Sequence, residues 1–263
     1  MTELLDGFGG VDVVTHTLGV ASLVTARIAP LALVSPWIGF RRTPITLRIG
    51  VVLALVLALC PWALGHAPTL PGHLFDFILV AAREVTIGLI FAVVLSVPFF
   101  ALEHSGSIID TLRGSSVTPT NESPLSDLYL LLGATLFLVL GGHRLVISAL
   151  ADGLQTVPVG SPLELGDIQS FALGSTQIIV QALSLGVAFA APAITAFVLL
   201  EATLGIAERA APMLPTFFLG MPLRANVGVA AVLLSASVLM PHLPALMRHA
   251  VHAASELVLR LSE

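Results

Sequence analysis

The chain has 263 residues, of which 56% are hydrophobic and only 10% are charged, and its formal net charge is −5. Soluble domains carry about 25% charged residues, so this composition excludes a water-soluble domain. The small negative charge gives no case for a nucleic-acid partner. The single cysteine, Cys60, excludes an intrachain disulfide and a thiolate metal cluster.

Long apolar segments follow one another along the chain. A bilayer core about 30 Å thick needs around 20 mostly apolar residues in a helix. Backbone groups in lipid must be satisfied internally, and no segment alternates as a barrel strand would. We therefore predict an all-α membrane protein with about six hydrophobic helices arranged as hairpins. The segments are residues 13–40, 49–65, 77–102, 128–150, 168–200 and 225–247.

Apart from Arg144 in the GGHR sequence of the fourth segment, charged residues interrupt two of these segments. Arg27 lies in the first, and Arg83 and Glu84 lie in the third. An arginine at the centre of a spanning helix costs roughly 2.5–3.5 kcal/mol on insertion scales, so these side chains should face protein or water. A helix over residues 168–200 would be about 50 Å long, which exceeds the bilayer core. These features predict helices that pack on other subunits.

Residues 243–263 form an amphipathic pattern at the end of the chain. Apolar residues recur at helical spacing, whereas Arg248, His249, His252 and Glu256 occupy the other face. Such a helix suits a membrane surface or a partner helix. The spacing of His249 and His252, with His242 nearby, is compatible with a metal site, but surface histidines on a polar face are the preferred interpretation.

The polar stretch EHSGSIIDTLRGSS at residues 103–116 raises the question of catalysis. Glu103 and His104 lack the second histidine of the zinc-binding HExxH helix. The serines lack a G-x-S-x-G elbow. A phosphate-binding loop of the Walker type requires a lysine, and all 11 basic residues are arginines. We therefore expect no enzyme, no cofactor and no metal site.

Asp110 and Arg113 leave two interpretations open. They are three residues apart and could form a solvated ion pair on one helical turn. Alternatively, a non-helical stretch at membrane depth is tolerated only where it is buried in protein or lines an aqueous cavity. Residues 103–122 would then be a pore element.

Four blocks of sequence resemble the T subunit of the type III secretion export gate, the SctT/FliR family, in the family's order. The first contains an arginine-proline segment and a basic loop, and the second contains Glu, Gly, Ile-Asp, Arg-Gly and Ser-Pro-Leu. The third has a Gly-Gly turn between apolar stretches, and the fourth contains Arg-x-x-Pro and Gly-x-Pro-Leu-Arg. The blocks read ARIAPLALVSPWIGFRRTPITLRIGVVLAL, ALEHSGSIIDTLRGSS followed by TPTNESPLSDL, LFLVLGGHRLVISALADGLQTVPVG, and LEATLGIAERAAPMLPTFFLGMPLRANVGVAAV.

The resemblance implies a noncatalytic subunit of a protein-conducting channel in the bacterial inner membrane. Its expected partners are R- and S-type subunits, the export-switch membrane subunit and unfolded secreted proteins. The resemblance divides the single membrane domain, 1–263, into an R-like part at 27–158 and an S-like hairpin at 168–247, with the amphipathic helix at 243–263.

Two sets of functional residues follow from this resemblance. A pore or plug loop is implied at Glu103, Gly106, Asp110, Arg113 and Gly114. Intersubunit packing or buried charge is expected at a second set, which joins the charges noted above to residues of the fourth block. The second set is Arg27, Arg83, Glu84, Glu201, Arg209, Pro212, Gly220, Pro222 and Arg224.

The chain departs locally from the family pattern, and two other functions are alternatives to the injectisome export gate. Met213 stands where the family usually has glutamine, and Thr118-Pro119 stands where it often has aspartate-proline. The charged IIDTLRGSS loop is closer to injectisome members, and a flagellar export gate is the alternative within the family. A small-molecule transporter is the alternative outside it, although no inverted repeat of the kind typical of transporters is evident.

Overall fold

The computed structural model describes residues 10–36, 43–66, 70–71, 73–113, 123–160, 168–213 and 216–262, and every regular element within them is a helix. Five helices are long and apolar enough to cross a bilayer, or six if one bent pair counts as a single span, which confirms the predicted all-α membrane fold. The helices are α1 (Gly10–Val34), α2 (Ile45–Leu64), α3 (Leu74–Arg113), α4 (Pro124–Val139), α5 (Gly142–Thr156), α6 (Ile168–Ala210) and α7 (Thr216–Ser262).

Helix α1 is shorter than its apolar segment. It ends at Val34, whereas hydropathy alone continued to residue 40. Ser35 precedes Pro36, and the proline ring disfavours the helical conformation for the residue before it. Residues 37–42, which include the rest of the first apolar segment, lie outside the described part of the chain.

Helix α3 is longer than its apolar segment. It has 40 residues and is therefore about 60 Å long. In its most apolar stretch 72% of residues are buried, whereas in the most apolar stretch of α2 only 17% are buried. The prediction of a non-helical stretch from Glu103 onward is wrong as far as Arg113, because these residues continue α3. Residues 114–122, including Gly114, lie outside the described residues.

The segment 128–150 is two helices and not one. α4 ends at Val139 and α5 begins at Gly142. Gly141 between them has a φ of +76°, a left-handed conformation that glycine adopts without steric cost. The Gly-Gly turn therefore separates the two helices.

The amphipathic residues near the C-terminus continue α7, which runs for 47 residues. Its polar face, with Arg248, His249, His252 and Glu256, is exposed as predicted. Its apolar stripe is not available to a membrane surface or a partner helix, because the chain itself covers it. The buried members of the stripe are Leu243, Met247, Ala250, Ala254, Leu257 and Val258.

The chain divides into two compact units. Unit 1 comprises Met1–Ser96, Gly141–Thr176 and Arg248–Glu263, and unit 2 comprises Val97–Leu140 and Gln177–Met247. These units do not coincide with the R-like part at 27–158 and the S-like hairpin at 168–247. That division therefore stays a prediction from the resemblance.

Each unit has its own apolar core. In unit 1, α1 packs against α2, and the core includes Leu23 and Leu31 of α1 and Phe91 of α3. In unit 2, the rings of Phe99 and Phe137 meet edge to face, with centroids 5.4 Å apart. Aromatic pairs prefer this geometry because the positive ring edge meets the negative face.

Candidate functional site

Arg27 and Glu84 form a buried ion pair in unit 1. The Nε of Arg27 donates to Oε2 of Glu84 at 2.5 Å, and the two side chains are 2% and 0% exposed. Arg27 comes from α1 and Glu84 from α3, 57 residues apart in sequence. Both side chains are buried within this chain, and each is the partner of the other.

Arg27 also contacts the C-terminal end of α5. Its Nη1 donates to the carbonyl oxygens of Gly153 at 3.2 Å and Val157 at 2.9 Å. The last carbonyls of a helix have no intrahelical donor and carry partial negative charge, so a cation is favourable there. Arg27 therefore serves as a cap for α5 as well as an ion-pair partner for Glu84.

The turn after α5 completes the network. The amide nitrogen of Gly160 lies 3.4 Å from Oε1 of Glu84, and Gly160 has a φ of +88°. The backbones of α1 and α3 pack closely beside this ion pair. A Cβ at Gly88 would lie only 2.8 Å from the carbonyl carbon of Arg27, so glycine at this position permits the close approach. Only the two charged residues of this cluster were singled out from sequence. Gly88, one turn after Glu84, was the available signal for the close approach.

Arg83 and the charged residues of α6 and α7 are less buried than the Arg27–Glu84 pair. Arg83 is half-buried, whereas Glu201, Arg209, Pro212 and Pro222 are exposed on the chain and Gly220 is buried. Arg224 binds Glu201 through two hydrogen bonds, Nε to Oε1 at 2.8 Å and Nη2 to Oε2 at 3.1 Å. The Arg224 and Glu201 side chains are 32% and 51% exposed, so the chain alone does not bury this pair. Packing of these residues on other subunits stays a prediction.

Asp110 holds the beginning of α4. Its Oδ2 accepts a hydrogen bond from the Ser123 hydroxyl at 2.7 Å and another from the Leu125 backbone N–H at 2.8 Å. The first amides of a helix lack intrahelical acceptors, and a carboxylate is favoured at this positive end. Ser123 is the N-cap residue but makes no side-chain cap bond itself. A carboxylate from α3 therefore caps α4.

Gly106 allows α3 and α4 to pack closely. A Cβ at this position would lie 2.6 Å from both the carbonyl oxygen of Leu125 and the Cα of Ser126. The Ser126 hydroxyl also donates to the carbonyl oxygen of Glu103 at 3.0 Å. Gly106 is thus required by a helix contact, and it lies within α3 and not in the loop that the resemblance implied.

The second charge of the polar stretch, Arg113, is the last residue of α3. Its Nη2 lies 3.7 Å from Oδ1 of Asp110, and it is 27% exposed. The expected pairing of Asp110 with Arg113 is therefore present, but Asp110 is buried and engaged by α4 as well. The hydrogen bonds from Ser123 and Leu125 to Asp110 could not be predicted from the sequence, because they depend on where α4 packs against α3.

No group of three or more histidine, cysteine, aspartate or glutamate side chains within the described ranges is arranged to hold a metal ion. His242, His249 and His252 are exposed on α7, as expected for residues of its polar face. The polar side chains described above act instead as helix caps and ion pairs that join apolar helices.

Long apolar helices joined by polar contacts define a multi-pass, all-helical membrane protein. Residues 18–250 match the family described as bacterial export proteins, family 1. The chain belongs to this family, the SctT/FliR family of export-apparatus proteins.

Relatives from both branches of the family are similar to the chain. The flagellar biosynthetic protein FliR of Caulobacter vibrioides is 29% identical over 225 residues, which cover 83% of this chain and 88% of that protein. FliR of Escherichia coli is 28% identical over 77% of this chain and 78% of that protein. The Yop proteins translocation protein T of Yersinia pestis is 30% identical over 75% of this chain and 78% of that protein. These identities do not separate the two branches, so the injectisome-like assignment stays a prediction.

Proposed function

We propose that this chain is a noncatalytic subunit of a type III export gate in the bacterial inner membrane, through which unfolded proteins are exported. It assembles with R- and S-type subunits and with the export-switch membrane subunit. The names of its relatives, a protein-translocation protein and flagellar biosynthetic proteins, support this role. The proposed complex is a hetero-oligomer without a cofactor.

The observation that carries this proposal is the incomplete burial of α6 and α7. Only 28% and 22% of the residues in their most apolar stretches are buried. On the surface of these two helices lies the bidentate Arg224–Glu201 pair. Ionisable residues within membrane helices almost always face a protein interior or a water-filled cavity. Neighbouring subunits around α6 and α7 satisfy this requirement, whereas lipid does not.

The test is to tag the full-length chain in its native operon and purify it in mild detergent. We expect R- and S-type membrane proteins to co-purify in a discrete complex. Replacing the pair together, Glu201→Leu with Arg224→Leu, should reduce recovery of that complex while leaving the chain in the membrane fraction. Gly50→Ala is the matched control, since a Cβ at this exposed α2 position meets no atom within 4 Å. A chain that purifies alone and retains export activity without partners contradicts the proposal.

The polar end of α3 is proposed to border the pore. Glu103, Gly106, Asp110, Arg113 and Gly114 constitute this pore or plug element in the proposed gate. Support comes from the cap that Asp110 forms on α4, because it links residues on both sides of segment 114–122. Replacing Asp110 and Arg113 with serine should increase ion leakage through assembled channels. Unchanged leakage in complexes that assemble normally contradicts this assignment.

A flagellar export gate is the second candidate, since two of the relatives are flagellar proteins. The two roles differ in the substrates exported. Deleting the chain in its native host distinguishes them: loss of motility with absent hook and rod proteins indicates the flagellar role, and loss of injectisome substrates from the medium indicates the other.

A further inference from the structure

The end of α3 meets α7 at a glycine notch in unit 2. A Cβ at Gly228 would lie 2.5 Å from Cδ and 3.0 Å from Cγ of Arg113. The same Cβ would lie 3.7 Å from Cζ of Phe197 on α6, which is ordinary contact. The aliphatic stem of Arg113 therefore occupies space on α7 that any larger residue at position 228 would fill.

The same arginine faces the cap of α4. Its Nη2 is 3.7 Å from Asp110, and Asp110 accepts hydrogen bonds from Ser123 and Leu125. Arg113 thus touches α7 with its stem and Asp110 with its guanidinium. The contacts run from Gly228 through Arg113 and Asp110 to the first residues of α4, and every member lies in one compact unit.

We infer that Arg113 is a positioning residue that couples α7 to the Asp110 cap of α4. This inference rests on the proposed function, because the quantity that it controls is the leakage of the assembled gate. A shift of the notch on α7 displaces the arginine stem, and the displaced guanidinium changes the charge beside Asp110. The polar end of α3 is therefore responsive to the α6–α7 region.

Gly228→Ala tests this coupling with a small perturbation. The atom that the new methyl group meets is part of a flexible side chain and not backbone, so the arginine can move without displacing either helix. Alanine also has a higher helix propensity than glycine, so the change itself does not weaken α7. An effect of this variant on the gate therefore reports displacement of Arg113.

The experiment measures ion leakage through the full complex in planar bilayers for Gly228→Ala, Arg113→Ala, the double variant and Asp110→Asn. Gly50→Ala is the control. We expect each single variant to raise leakage, with Asp110→Asn producing a rise of about tenfold, which corresponds to about 1.4 kcal/mol. Because the glycine acts through the arginine, Gly228→Ala should add nothing in the Arg113→Ala background. This non-additivity is the signature of coupled residues.

The outcomes separate the coupling from the proposed function. If Asp110→Asn raises leakage while Gly228→Ala does not, or if the effects of Gly228→Ala and Arg113→Ala add, the coupling is wrong and the pore assignment stands. If Asp110→Asn leaves leakage unchanged in assembled complexes, the pore assignment fails and the coupling fails with it.

A second comparison applies if Gly228→Ala does not assemble. Arg113→Met keeps most of the stem against Gly228 and removes the charge beside Asp110, whereas Arg113→Ala removes both. Leakage that rises in Arg113→Met and rises further in Arg113→Ala supports coupling through both parts of the side chain. Leakage at the wild-type level in both variants overturns the inference.

Discussion

The two arginine–glutamate pairs in this chain have the same chemistry and opposite surroundings. Arg27 and Glu84 are almost completely buried and make further contacts with the end of α5 and with Gly160. Arg224 and Glu201 form a good bidentate pair but remain substantially exposed. Desolvation makes a buried charge depend on its partner, whereas this chain alone does not desolvate the exposed pair. The first pair is therefore part of the chain's own fold, and the second depends on what surrounds it.

The largest effect should come from breaking the buried pair on one side. Glu84→Gln leaves the Arg27 cation buried without its counter-ion, and such changes typically destabilise by about 3–5 kcal/mol. Denaturant unfolding of the purified full-length chain in detergent, followed by tryptophan fluorescence, measures the loss. Glu201→Gln is the matched control at the exposed pair. Equal losses for the two variants would contradict the distinction drawn between the pairs.

Exchanging the charges within each pair sharpens the comparison. Arg27→Glu with Glu84→Arg keeps opposite charges together but places a carboxylate beside the carbonyls of Gly153 and Val157. We expect no recovery of stability relative to Glu84→Gln, and faster amide hydrogen exchange at the end of α5.

The corresponding exchange of Glu201 and Arg224 should preserve more stability than the exchange at Arg27 and Glu84, because the described hydrogen bonds of these two side chains join them to each other. Rescue by the exchange at Arg27 and Glu84 would show that α5 does not need its cationic cap.

A smaller effect is expected from the glycine that brings the buried charges together. Gly88→Ala places a methyl group against the backbone of Arg27, and overpacking of this kind costs about 1–3 kcal/mol. Gly50→Ala, at an exposed α2 position without neighbours, should instead stabilise by up to about 1 kcal/mol through helix propensity. Unfolding midpoints of the two purified variants provide the measurement. A Gly88→Ala variant as stable as Gly50→Ala would refute the close approach of α1 and α3.

The smallest effect on the isolated chain is expected at the exposed pair. Glu201→Gln should cost the purified chain less stability than Glu84→Gln does, since the chain itself leaves Glu201 and Arg224 substantially exposed. The same change should reduce recovery of the assembled complex. There the proposed partner subunits bury Arg224, and Glu201 is needed as its counter-ion. Thermal stability of the chain and yield of the co-purified complex are measured side by side. A variant that destabilises the chain without affecting the complex would reverse the assignment of this pair.

Composition and hydropathy were enough to identify the class of the protein and to single out its most costly charges. Low charge and long apolar segments without strand alternation require membrane helices, because only helices and closed barrels satisfy the backbone in lipid. Arg27 and Glu84 were identifiable for the same reason, since their cost in lipid demands protein around them. Four blocks of motif resemblance then indicated the family, and the match over residues 18–250 confirmed it.

Which polar groups meet depends on how the helices pack, and this could not be read from local pattern. The polar residues from Glu103 to Arg113 have no apolar signal for a spanning helix, yet packing against α4 keeps them helical and turns Asp110 into a cap. The apolar stripe of α7 is likewise buried by packing within the chain. Hydropathy indicates that an apolar face must be covered, but it does not indicate which part of the protein covers it. Partners such as Val157 and Gly228 lie more than 100 residues from the arginines they contact, and their contacts depend on helix positions that local pattern does not encode.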